Sequence, residues 1–122
     1  MGIEIEPHFT KKDIWQRSFQ FGICVIKMTQ QLPNTPVAWE LVRQVIRSAT
    51  SIAANISEGG GGSSKKEFIR YIEIAKKSAL ETYNWLLFIE KVFNLHDKMT
   101  ILKQECNELV KILSSIAIKS KQ

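Results

Sequence analysis

The stretch RSATSIAANISEGGGGSSKKEF, residues 47–68, decides the fold. At helical spacing Ala49, Ile52 and Ile56 share one face, and Val45, Val42 and Ala38 extend it backwards in steps of three and four. The glycines then mark a joint. Gly59 stands where a helix C-cap favours a left-handed residue, a conformation glycine adopts without steric cost. Ser64, Lys65, Lys66 and Glu67 fit the capping box S-x-x-E, so a new helix starts near Ser64. A phosphate loop of the form G-x-x-x-x-G-K-[ST] follows a strand, whereas here a helix precedes and two serines separate Gly62 from Lys65. The run therefore reads as a joint, although Lys65 and Lys66 at a helix N-terminus suit a weakly held nucleic-acid phosphate.

Working outward, the same periodicity fills the chain. Ile14, Ser18, Phe21, Val25, Met28 and Leu32 recur at alternating steps of four and three, with Trp15, Phe19 and Gly22 widening the apolar side. LPNTP stops that helix, because proline lacks an N–H and restricts the residue before it. Phe68, Ile72, Ala75, Ala79, Tyr83 and Leu86 line a third helix. FNLHD breaks it, Asp97 is a candidate cap, and Met99, Leu102, Cys106, Leu109, Leu113 and Ile116 form a heptad. The spacing predicts helices over about 11–32, 37–58, 64–93 and 97–119. Four long amphipathic helices with short joints make an all-α, antiparallel up-down-up-down four-helix bundle, one domain over residues 1–122. GIEIE, near the start, is too short a strand pattern to compete.

The composition sets outer bounds. With 44% hydrophobic residues in 122, the chain can bury a core without staples. Cys24 and Cys106 lack metal-ligand spacing and read as reduced thiols. No apolar run approaches the roughly 20 residues of a membrane span, and the acidic start MGIEIEPH is not a secretion signal; a cytoplasmic location is expected. The net charge of +5 is distributed over the helices with no basic arm, which permits an anionic partner without demanding one.

Two surplus faces remain. On the second helix Gln44, Arg47, Ser51, Ala54, Asn55 and Glu58 lie opposite the core residues. A solvated face is the ordinary explanation, yet the small uncharged members suit contact with another helix. On the third helix Ile74, Ser78, Glu81, Trp85, Phe88 and Val92 recur in steps of four and three, again opposite the core. A bundle helix needs one apolar face and this one has two. Either a neighbouring segment covers Trp85 and Phe88, or the seam is a subunit interface. The interface reading makes the two aromatics anchors and lets Asn55, Glu58 and Glu81 fix register.

RSATSIAANISEG followed by KEFIRYIEIAKKSALET resembles the four-helix-bundle proteins encoded in intervening sequences of bacterial 23S rRNA genes. Arg47, Ser51, Ile52, Asn55, Ile56, Glu58 and Gly59 match the first part of that pattern. Lys66, Glu67, Phe68, Arg70, Ile74, Ala75, Ser78 and Glu81 match the second, and the likeness covers nearly the whole chain. Gly60, Gly61 and Gly62 stand where the family often has an arginine, and Lys77 replaces its usual glycine. The resemblance implies a closed homo-oligomer, a ring of five. The family is also similar to the accessory variability protein of retroelements, which works with RNA, and its own cellular role is uncharacterised.

Catalytic signals are absent. His8 and His96 lack spaced partners, so no metal or other cofactor is expected, and the carboxylates Glu58 and Glu81 read as interface groups. Lys65, Lys66, Arg70 and Lys77 are the candidate nucleic-acid contacts, with Glu73 placed to pair with Lys77 at i,i+4. The expectation is a non-enzymatic homo-oligomer with weak affinity for RNA or DNA. The alternative is a scaffold that binds another protein through an apolar rim.

Overall fold

The computed structural model describes residues 11–61 and 64–122. The acidic start with His8 and GIEIE, together with Gly62, lies outside them. The elements are α1 (Lys11–Thr29), α2 (Pro36–Gly60), α3 (Lys65–Phe93) and α4 (His96–Lys121). Contacts between side chains set their directions. Arg17 on α1 meets Glu105 on α4, and Gln31, just past α1, meets Lys98. Ser48 and Ser51 on α2 meet Thr82 and Ser78 on α3, and Glu90 and Glu73 on α3 meet Lys103 and Lys121 on α4. In each pair one number rises as the other falls, so the helices run up, down, up, down.

One core joins all four helices. Ile14, Phe21, Val25, Val45, Ile52, Ile56, Ile72, Leu86, Met99, Leu109 and Leu113 are buried in it. Burying each of the larger side chains contributes about 1.5–3 kcal/mol. Val42, Tyr83 and Ile116, which share those periodic faces, sit only half-buried at the flanks.

Helix ends follow local chemistry, with three departures from expectation. Thr35 caps α2 by accepting from Ala38 N at 3.3 Å, with Pro36 in the first turn, where its missing N–H costs nothing. Ser64 caps α3, accepting from Glu67 N at 3.1 Å, while Glu67 turns to Arg70 instead of closing the box. The first departure is that α1 ends at Thr29, because Gln30, Gln31 and Leu32 make the tighter i→i−3 bonds of a turn. The second concerns α4, which begins at His96 after Leu95, with Asp97 in its first turn and no side chain capping it. Asn94, in the left-handed region at φ 55°, ends α3.

The third departure is the glycine run. The helix continues through Gly59 to Gly60, Gly61 N donates to Ser57 O at 3.2 Å, and no described glycine has positive φ. Gly59 is buried and helical, and it is not a cap. A Cβ there would lie 3.0 Å from Tyr71 Cβ on α3, tighter than an ordinary contact, so the two helices approach most closely at this glycine.

That closeness defines the α2–α3 seam. Ser48, Ala49, Ile52 and Ala53 on α2 are buried, as are Ala75, Ser78, Ala79 and Thr82 on α3. The Thr82 hydroxyl donates to Ser48 Oγ at 2.8 Å and to the Ser78 carbonyl at 2.7 Å, one proton shared between two acceptors. One turn along, Ser51 Oγ and Ser78 Oγ are 2.9 Å apart. Charges tie the two seams of α4. Arg17 grips Glu105 with two bonds of 2.6 and 2.9 Å between α1 and α4. Glu90 on α3, 4% exposed, accepts from Lys103 Nζ at 2.8 Å and lies 3.5 Å from His96 Nδ1. The Lys103 hydrogen bond holds the Glu90 carboxyl below its ordinary value.

Three stability predictions follow from these contacts. Gly59→Ala should destabilise by about 1–3 kcal/mol through overpacking against Tyr71. Gly60→Ala, which meets nothing within 4 Å, should stabilise by up to about 1 kcal/mol; urea unfolding of the two variants distinguishes them. Thr82→Val should cost about 1–2 kcal/mol, because it removes the buried hydroxyl that bonds Ser48 Oγ and the Ser78 carbonyl, and Thr82→Ser should recover most of that. Glu90 has a depressed folded-state pKa, so its contribution is full above the ordinary glutamate value and lost as pH falls through the folded value. The urea midpoint of wild type should accordingly exceed that of Glu90→Gln at neutral pH, and the gap should close on acidification.

Candidate assembly and nucleic-acid surface

At 100° per residue, Lys66, Arg70, Ile74, Lys77, Glu81, Trp85, Phe88 and Val92 follow one outer strip along α3. The strip changes chemistry midway. Its first half is basic and its second half apolar. Phe88 is 56% and Val92 51% exposed, while Trp85 and Ile74 are half-buried. The Trp85 and Phe88 rings lie 5.8 Å apart at 41°, and Trp85 Nε1 donates to Glu81 Oε2 at 3.3 Å. Val37 on α2, 60% exposed, adds to the apolar end, because antiparallel packing sets the start of α2 beside the end of α3.

The α2 candidates border the same surface. Arg47 and Glu58 are exposed, and Ser51 and Asn55 are half-buried. The structure changes the placement of Ser51 and Ser78. They face each other across the α2–α3 seam, and Ser78 is buried, whereas helical spacing had set both on outward faces. Asn55 Nδ2 in turn donates to Ser51 O at 2.8 Å and Ser51 Oγ at 2.9 Å, so the amide braces its own helix. The missed signal was a matched pair of hydroxyl strips, Ser48 and Ser51 on one helix and Ser78 and Thr82 on the next.

Of the basic candidates, Lys66, Arg70 and Lys77 are exposed on the strip. Lys65 turns towards the end of α4, where its Nζ donates to the Gln122 backbone oxygen at 3.2 Å. Arg70 Nε donates to Glu67 at 2.9 Å, a hydrogen bond that raises the arginine pKa and lowers the glutamate's, and the guanidinium lies 4.6 Å above the Tyr71 ring. Glu73 pairs with Lys121 of α4 at 3.2 Å and not with Lys77. Lys77 and Lys66 hold no ion pair among the described residues. Gly60 and Gly61 form no phosphate cradle, since the helix runs through Gly60 and Gly61 N is bonded back to Ser57.

The groups with chemical potential elsewhere serve structure. The Cys106 thiol, buried and donating to Ala79 O at 3.1 Å, is pushed up to about 12 by burial and stays neutral at physiological pH. Cys24 is exposed and free. No cluster of three His, Cys, Asp or Glu able to hold a metal occurs among the described residues. No described helix is long and apolar enough to cross a membrane.

A second apolar surface, missed in the sequence, lies on the other flank of α2. Trp15 stacks on Phe19 at 5.1 Å, and Phe19 is 50% exposed. With Ile23 they form one wall of a groove of about 300 Å³, and Thr50, Ala54 and Ser57 form the other. Ser18 Oγ, fully buried at its floor, has no hydrogen-bond partner among the described residues.

No curated protein sequence matches the chain. A crystal structure of a protein with unknown function from the S23 ribosomal protein family of Bacteroides thetaiotaomicron VPI-5482 is similar to it, with a TM-score of 0.79 and 28% sequence identity. The match spans 85% of this chain and 97% of that one. The family model described as 23S rRNA-intervening sequence protein matches residues 10–115, which include all four helices nearly to the end of α4. The chain belongs to the 23S rRNA-intervening sequence protein family.

Proposed function

We propose that the protein is a non-enzymatic cytoplasmic building block that self-associates, as a ring of five, and binds RNA weakly through its phosphate backbone. The divided strip on α3 carries this reading. Its apolar half, with Trp85, Phe88 and Val92, leaves on a single copy a surface that burial against another copy stabilises. Its basic half, with Lys66, Arg70 and Lys77, follows at the N-terminal end of the same helix, where the helix dipole also favours anions. Such contacts track phosphates without reading bases. The aromatics that could stack on bases lie in the apolar half, so binding is sequence-tolerant and salt-dependent. Glu81, bonded to Trp85, borders the apolar half, while Asn55 and Glu58 lie along α2 beside the basic half.

One set of variants tests both parts. Native mass spectrometry at tens of micromolar should find wild type oligomeric and Trp85→Asp monomeric and still helical. Fluorescence anisotropy with two unrelated single-stranded RNAs should give similar affinities that fall steeply with salt. Lys66→Glu with Arg70→Glu should weaken both alike and flatten the salt slope. Binding that ignores salt would favour the alternative, an apolar scaffold for a protein partner. A monomeric wild type would end the assembly reading.

A further inference from the structure

We infer that the nucleic-acid surface continues from α3 onto the end of α4, and that the form of RNA it takes is a duplex. The inference rests on the RNA-binding reading proposed above and adds the second helix and the strandedness of the ligand. Residues 65–79 of α3 and 107–121 of α4 hold eight cations and three acids. The other nine cations and nine acids of the chain cancel, so these two stretches carry the whole net charge of +5.

Antiparallel packing brings the stretches side by side. Glu73 meets Lys121 and Ala79 meets Cys106, a register that sets Lys77 close to level with Lys111. Lys66, Arg70 and Lys77 make one exposed row on α3, and Lys111 and Lys121 make another on α4. The two axes stand about 8–10 Å apart, as packed helices do. Glu67, Glu73 and Glu108 pair with Arg70, Lys121 and Lys111 of the same stretches. All three pairs are solvent-exposed, where an ion pair contributes little and gives way readily to a phosphate. Glu58 of α2 borders α3 on the flank away from α4 and leaves the double row intact.

Two level rows of cations suit two phosphate strands. Proteins that hold single strands add exposed aromatics on which successive bases stack. Residues 107–121 contain no aromatic, and on α3 Phe68 and Tyr71 are half-buried, with the Arg70 guanidinium 4.6 Å above the Tyr71 ring. A duplex keeps its bases inside and presents phosphates on both strands, so cations alone suffice to hold it.

Fluorescence anisotropy in about 50 millimolar salt compares an RNA duplex of about 20 base pairs with each of its separated strands. Wild type should hold the duplex at least about fivefold more tightly than either strand. Lys111→Glu with Lys121→Glu should weaken duplex binding about tenfold and lower the salt slope by about 2, with helicity by circular dichroism unchanged. The milder pair Lys111→Gln with Lys121→Gln should lose about threefold, and Lys111→Arg with Lys121→Arg should bind as wild type. Lys27→Glu with Arg43→Glu makes the same change in net charge on the exposed α1–α2 side and should cost less than about twofold. If the α4 pair binds no worse than that control, α4 is not part of the surface, and the α3 contacts stand or fall by Lys66→Glu with Arg70→Glu. Equal affinity for the duplex and its separated strands overturns the duplex assignment and leaves the RNA reading in place. A wild type that binds neither form overturns both.

Discussion

Helices α2 and α3 are held together by an approach too close for ordinary side chains. A Cβ on Gly59 would sit only 3.0 Å from Tyr71 Cβ, and much of the rest of the seam is alanine, serine and threonine, with Ile52 among them. Small side chains bury little area each, so the seam compensates with hydroxyl bonds between Ser48 and Thr82 and between Ser51 and Ser78. These bonds have a geometric effect beyond their energy. Each needs an oxygen separation near 2.8 Å, which sets spacing and register together. The aromatic Trp85 and Phe88 of α3 lie on its outer strip, while Ile72, Leu86 and Ile89 fill its inner face.

The outer strip then divides a single helix between two kinds of surface. Near the start of α3 the flanking helix ends bring cations, among them Lys119 and Lys121 from the last turn of α4. Near its end the neighbours are Val37 and half-buried Leu41 of α2, which are apolar. Antiparallel order produces this gradient, because one end of the bundle gathers the beginnings of α1 and α3 with the ends of α2 and α4. The charge on that end was invisible as a cluster in the sequence, where the same lysines are more than 50 residues apart.

Periodicity made the helices and most of the core readable. Residues such as Ile14, Phe21, Ile52, Ile72 and Leu109 occupy a face by angle alone, and angle is a local property. The errors came where a neighbouring helix decides. Gly59 looked like a stop because glycine usually is one, but it lies within the helix, packed closely against Tyr71 on α3. Ser51 and Ser78 pointed away from the core by angle, yet a bundle helix has two flanks, and only the partner shows which flank is covered. The Glu90–Lys103 pair depends on the α3–α4 register, which no local pattern encodes. The α1–α2 groove escaped because Ala54 and Ser57 are too small to leave a periodic mark. The ridge of Trp85, Phe88 and Val92 was legible for the opposite reason, since large apolar residues repeat where the core has no use for them.

The hydroxyl seam has a further property. Its bonds join neutral groups that neither titrate nor attract counter-ions, and the Ser51–Ser78 bond serves equally with either oxygen as the donor. Acid and salt therefore find nothing to act on in these hydroxyl bonds, whereas the α1–α4 and α3–α4 contacts rely on Arg17–Glu105 and Lys103–Glu90. The molecule is electrically silent along one side and responsive along the other. Changes in its ionic surroundings will loosen α4 before they alter the spacing of the two helices that shape its outer surface.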